Sequence, residues 1–294
     1  MVTEQQLKER LNTIITEELH IANEVISIVN KLIKELNSSL KETDVKIDEN
    51  GYKFKQNRIQ LKVLNTSLTL YYRCYYFKDA QQLIKYENNI NQSCAYSARV
   101  NDRLSLINLT FYMVNGTLDK ENKSELFDTM YHEVSHIYQQ LKMNKHYGFN
   151  SDYNTAFNRI ESSIPVEYYV ALVIYMFNSD EQIAYINGLY GFLSNEFSKT
   201  DSDIDIKRYK QSTVYKLLRQ CYEAKEFFAN NREETDEELD NYTISYERLL
   251  RICDETINSL ERKIGRVLIK FFTDLQKQGK LSVTDTNNFY NFFT

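Results

Sequence analysis

The chain has 294 residues, 42% of them apolar and 26% charged, enough to bury one large hydrophobic core or two smaller ones. A formal net charge of −5 and a pI near 5.6 argue against the clustered Lys and Arg that phosphate binding demands, so no nucleic-acid partner is expected. Met1 to Arg10 lacks the apolar stretch of a signal peptide and no long uncharged apolar window follows, so the expectation is a cytoplasmic protein with no membrane partner. One proline, seven glycines and no tryptophan favour long uninterrupted helices.

Residues 3–42 open the chain with Leu7, Leu11, Ile14, Ile15, Leu19, Ala22, Val25, Ile26, Val29, Leu32, Ile33, Leu36 and Leu40 at helical spacing. This predicts one long amphipathic helix or two shorter pieces, packed on the chain's own body, with a coiled-coil contact as the sharper alternative. Between Val45 and Val114 the texture changes. Asp48-Glu49-Asn50-Gly51 signals a turn between strands, and Ser67 to Phe77 is rich in β-formers. The tyrosines of that run suit a half-buried sheet face better than a base-stacking platform, which would need a basic groove beside it. Arg103 to Val114 reads as a further strand that ends in a turn at Asn115-Gly116.

The next segment carries the chemistry. Polar residues Asp119 to Ser124 precede a run without breakers from Glu125 to Met143, with Asn122 or Ser124 as N-cap. Leu126, Met130, Val134, Ile137 and Leu141 follow at steps of three and four, gathering into one apolar stripe. The same helix carries His132-Glu133-Val134-Ser135-His136, an H-E-x-x-H pentad whose His132 and His136 project almost opposite that stripe. Residues four apart on a helix sit about 40° apart around the axis and one turn along it, so two imidazoles can reach one metal ion. Glu133 flanks the pair, where a carboxylate can hold a water. The bland reading is a solvated helical face that happens to carry these side chains.

Further on, His146 falls near the helix end and reads as a surface residue. Val166 to Phe177 is apolar nearly all round and predicts a buried helix; Asn178-Ser179 then stops it and caps another, with Glu181 in its first turn. After a polar loop at Thr200 to Asp205 the chain reads as helical. The charge run Glu233 to Glu238 suits a solvated helix start. Leu249, Cys253, Ile257, Leu260, Ile264, Val267, Phe271 and Leu275 form a seam along a helix of some thirty residues. That helix either braces the rest or, because Leu268 and Phe272 add apolar surface, serves assembly. The terminus, Phe289-Tyr290-Asn291-Phe292-Phe293, is aromatic enough to be expected tucked against the body or a partner. Cys74, Cys94, Cys221 and Cys253 show no C-x-x-C spacing and are expected reduced and buried.

The pentad resembles the zinc-binding helix of the zincin metallopeptidases, a likeness that covers Leu104 to Phe197. The metzincin branch is excluded, since Gln139 and Lys142 stand where it needs glycine and histidine. In the gluzincin branch the third ligand is a glutamate on a later helix, often with an alanine three residues on. Of Asp152, Glu161, Glu167, Asp180, Glu181 and Glu196, Glu181 with Ala184 is similar to that E-x-x-A pattern, with Asp180 and Glu161 as the alternatives. The sequence departs from the branch at Tyr185, where several families place a supporting aspartate; Asp128, one turn before His132, is a candidate substitute.

The resemblance implies one Zn²⁺ held by His132, His136 and Glu181, with Glu133 as the catalytic general base in peptide-bond hydrolysis. Tyr185, Tyr190 or Tyr153 would supply an oxyanion donor. It also implies that strand Leu104 to Val114 borders the cleft and holds an extended peptide. The expected fold is α+β and predominantly helical: a zincin-like core with a small antiparallel sheet, a long N-terminal helix and a C-terminal helical region. The expected segments are 1–44, 45–200 and 201–294. The partner is a peptide or protein substrate, with terminal helices available for a homo-oligomer or larger assembly. The alternative is a structural or interaction protein built on the same fold, such as a phage virion or injected component, with or without peptidase activity. A toxin or regulator acting on a single host protein is a third reading.

Overall fold

A computed structural model describes residues 24–40, 45–63, 66–79, 81–82, 85, 97–101, 104–114, 120–143, 151–197 and 206–279. Outside them lie Leu7 to Ala22 of the run expected to open the chain as a helix, Cys94, Asn115-Gly116 where a turn is expected, His146, Thr200 to Asp205 where a loop is expected, and the aromatic terminus. The fold is α+β and predominantly helical, with a small sheet, an N-terminal helix and a helical C-terminal region. Two compact units divide the chain, Met1–His146 and Tyr147–Thr294.

In the first unit, helix α1 (24–39) precedes strands β1 (Lys46–Ile47), β2 (Lys53–Val63), β3 (Thr66–Phe77), β4 (Ser97–Asn101) and β5 (Leu104–Val114), then helix α2 (Lys120–Met143). The turn between β1 and β2 forms where the sequence signals it. Gly51 takes a φ of +82°, open to a residue without Cβ, and Asp48 Oδ1 accepts from the Asn50 and Tyr52 amides at 3.0 and 2.8 Å. The strand order is β1-β2-β3-β5-β4, and the sheet is mixed rather than wholly antiparallel because β3 and β5 run parallel, Leu70 opposite Ile107 and Cys74 opposite Phe111. Parallel neighbours need a long crossover, and the stretch between β3 and β5 supplies it.

Alternation gives this sheet two faces. Leu68, Leu70, Tyr72, Cys74 and Tyr76 are buried together with Ile107, Leu109, Phe111 and Met113. Helix α1 covers this face. Its Val25, Val29, Leu32 and Leu36 are buried, and the Tyr72 hydroxyl donates to Ser39 Oγ at 2.8 Å. On the other face Tyr52, Phe54, Tyr75, Phe77 and Tyr112 cluster ring against ring, with the Arg73 guanidinium 5.1 Å above the Phe54 ring. Strand β5 is flanked by β3 along its length and by β4 from Leu104 to Asn108, so the strand expected to border a cleft is an inner strand there. Helix α2 packs against β5 and β4, starting at Lys120, a turn before the capping residues Asn122 and Ser124 expected of it.

The second unit holds α3 (Ser151–Arg159), α4 (Pro165–Phe177), α5 (Ser179–Glu196), a 3-10 turn (Ile206–Gln211), α6 (Thr213–Asn230), α7 (Arg232–Leu239) and α8 (Tyr246–Lys277). Helix α4 is the hub. It starts with the chain's one proline in the first turn, where no amide partner is lost, and Val170 to Met176 are all buried. Each of the other α-helices in this unit packs against it, as its apolar circumference requires. Along α8 the expected seam is buried at Leu249, Cys253, Ile257, Leu260, Ile264, Phe271 and Leu275. Leu268 and Phe272 are buried in the same core, so they brace this unit and offer no assembly surface. Ser245 caps α8 by accepting from the Arg248 amide at 3.3 Å. None of the described helices is long and apolar enough to cross a membrane.

Candidate metal centre

Helix α2 is pinned by its stripe. Leu126, Met130, Val134 and Ile137 are 0–2% exposed, and Tyr131 and Tyr138 beside them are buried as well. This fixes the rotation of the helix, so His132, Glu133 and His136 project together from the half-buried opposite side. Ser135, inside the pentad, is buried and donates its hydroxyl to the Tyr131 carbonyl at 2.6 Å, a local bond that keeps its polar group satisfied.

The two imidazoles meet tip to tip. Their Nε2 atoms are 3.0 Å apart and the rings stand nearly perpendicular, at 83° with centroids 4.6 Å apart. Without a cation, one nitrogen must carry a proton and the other accept it. Two nitrogens each about 2.0–2.1 Å from a tetrahedral zinc lie about 3.3 Å apart, so the pair needs little adjustment to share an ion. Asp128 is buried on the same helix, 4% exposed, one turn before His132.

In the second unit, Asn178 ends α4 and its Oδ1 accepts from the Asp180 amide at 2.8 Å, starting α5 as its sequence position implies. Glu181 lies in the first turn, 5% exposed. Both of its oxygens accept from tyrosines: Tyr153 Oη donates to Oε1 at 2.6 Å and Tyr175 Oη to Oε2 at 2.5 Å. The two rings stack 5.5 Å apart, and Phe157 stacks on Tyr153 and lies tilted against Tyr175 while remaining 58% exposed. Burial, and then the neighbouring Tyr185 and Glu181, hold the Tyr175 hydroxyl well above the usual phenol range, so it stays a donor. Ala184 is fully buried. Gln182, next in sequence, donates to the Met176 carbonyl at 2.7 Å and accepts from Ser259 Oγ and Lys263 Nζ of α8, each at 2.7 Å.

The other acids have different settings. Asp152 is buried and accepts from the Thr243 amide and hydroxyl at 2.7 and 2.6 Å. Glu196 pairs with Arg208 at 2.6 Å, and Glu167 accepts from Ser162 at 2.7 Å. Glu161 is exposed and Asp180 half-buried. Among the tyrosines, Tyr185 lies one turn beyond Glu181 on the same side of α5, whereas Tyr190 is about half a turn around and sits edge-on to Phe271 at 5.6 Å. Burial raises the Tyr190 hydroxyl, with Asp274 adding to the effect.

The Tyr153 hydroxyl, one of the three expected as oxyanion donors, donates to Glu181. Tyr175 was not singled out at all. It lies six residues before Glu181 across a helix break, a spacing that puts no two side chains on one helical face, so only the turn at Asn178 could have hinted at the meeting. No family model, no curated protein and no solved structure matches this chain.

Proposed function

We propose that the protein is a zinc-dependent metallopeptidase, in which His132, His136 and Glu181 hold one Zn²⁺ and Glu133 is the general base. The observation that carries this reading is the His132–His136 pair, whose Nε2 atoms stand 3.0 Å apart on a helix locked by its buried face. Two imidazoles and a carboxylate are a donor set suited to zinc that leaves a coordination position for solvent. Glu181 is favoured over Asp180 and Glu161 because it is the buried acid of the three. Glu196 is paired with the Arg208 guanidinium, whose charge competes with a metal cation's.

Zinc bound by these ligands would acidify a water molecule and polarise the scissile carbonyl. The Glu133 carboxylate, next to His132 on the same side of α2, takes the proton of the attacking water and hands it to the departing amine nitrogen. Tyr185, on the Glu181 side of α5, is the better placed of the tyrosines to donate to a developing oxyanion. Substrates on this reading are peptides or proteins, and the reduced, buried thiols of Cys74, Cys221 and Cys253 suit a reducing compartment such as the cytoplasm.

Glu133→Gln is the direct test. It keeps the size and polarity of the side chain but removes its basicity. Zinc content by elemental analysis should stay at the wild-type level while turnover of a peptide library falls about 10²–10⁴-fold. Undiminished hydrolysis by this variant would reject the assigned role.

A further inference from the structure

Glu181 is a flexible side chain by nature, yet its carboxylate is gripped at both oxygens by hydroxyls from two different helices, Tyr153 of α3 and Tyr175 of α4. We infer that Tyr153 and Tyr175 are positioning residues that preset the Glu181 carboxylate for metal binding. The inference rests on the metallopeptidase reading and extends it to residues outside the resemblance's motifs.

The hydrogen-bond arithmetic permits both jobs at once. Each carboxylate oxygen has two lone pairs, and a single tyrosine hydroxyl does not exhaust either oxygen. The hydroxyls are themselves held. The Tyr153 and Tyr175 rings stack at 5.5 Å with 26° between their planes, and Phe157 lies against both at 6.4 and 6.3 Å. The backbone at Glu181 is held as well, since Asn178 caps the helix and Gln182 is bonded to Ser259 and Lys263. Hydrogen-bond partners around metal ligands fix the ligand's orientation, and their loss weakens metal binding about 10–100-fold.

The test measures zinc affinity by chelator competition, and the thermal midpoint of the metal-free protein, for Tyr153→Phe, Tyr175→Phe, Glu181→Gln and each tyrosine change combined with Glu181→Gln. The phenylalanine variants keep the stacked rings and lose only the hydroxyl. The expected result is a loss of about 10–100-fold in zinc affinity for each tyrosine change, with little movement of the metal-free midpoint, and no further loss once Glu181 is already Gln. Wild-type affinity in both tyrosine variants would overturn the inference while leaving the zinc site standing. So would a loss that persists unchanged in the Glu181→Gln background, because the tyrosines would then act through the fold. Wild-type affinity in Glu181→Gln itself would remove Glu181 from the ligand set, and both the reading and this inference would fall together.

Discussion

The two units place their reactive groups in opposite ways. In the first, His132, Glu133 and His136 stand on the half-buried side of a single helix, and the buried stripe behind them does the positioning. In the second, Glu181 is buried and held by hydroxyls of two neighbouring helices. A group on one helix inherits its geometry from local periodicity, so it tolerates changes elsewhere as long as that helix keeps its rotation. A group held by several helices depends on their packing, and every one of those contacts becomes part of the site.

The largest contrast is expected from core truncations. Phe228→Ala or Phe272→Ala, each removing a ring about fully buried in the second unit, should cost about 3–5 kcal/mol in denaturant unfolding. Met130→Ala, beneath the histidines, should cost about 2–5 kcal/mol and also weaken zinc binding by letting α2 settle into the void. If Met130→Ala left zinc affinity untouched, the claim that the stripe aims the histidines would fail.

A smaller effect is expected at Asp152, which ties α3 to the turn before α8 through the Thr243 amide and hydroxyl. Asp152→Ala should destabilise by about 1–3 kcal/mol, with its zinc content unchanged if Asp152 is purely structural. Loss of metal in a folded Asp152→Ala protein would instead put it among the ligands.

The smallest effect concerns the thiols. Burial pushes Cys74 and Cys253 up from an ordinary 9.0 to about 12, and Cys221 higher still. At pH 8 all three are protonated, so a thiol reagent should label the folded units at these positions only after denaturant is added. Because the folded values are raised, this contribution to stability is present below about pH 9 and is lost as the pH climbs toward 12, where the unfolded thiols ionise and the buried ones do not. Rapid labelling of Cys74 in the native protein would show that the sheet opens without global unfolding.

What could be read from the letters follows the same division. The stripe from Leu126 to Ile137, the turn at Gly51, the buried helix around Val170 to Met176 and the cap at Asn178 are local patterns, and each folds as its spacing implies. The parallel pairing of β3 with β5 could not be read, because alternation marks a strand's faces and says nothing of its neighbour's direction. The tyrosine grip on Glu181 was hidden for a related reason: its partners lie 28 and six residues away, brought in by helix packing. Leu268 and Phe272 show a third limit. Beyond a narrow seam a helical wheel cannot tell a second buried face from a sticky surface, and here the neighbouring helices cover it.

Gln182 carries a mechanical consequence. Its amide donates back to Met176 and accepts from Ser259 and Lys263, a set of partners that only one orientation of the amide satisfies. The residue beside Glu181 is thereby latched to the middle of a 32-residue rod. A bend or break in that rod near Ser259 would be transmitted to the carboxylate through a single amide, far from either end of the chain.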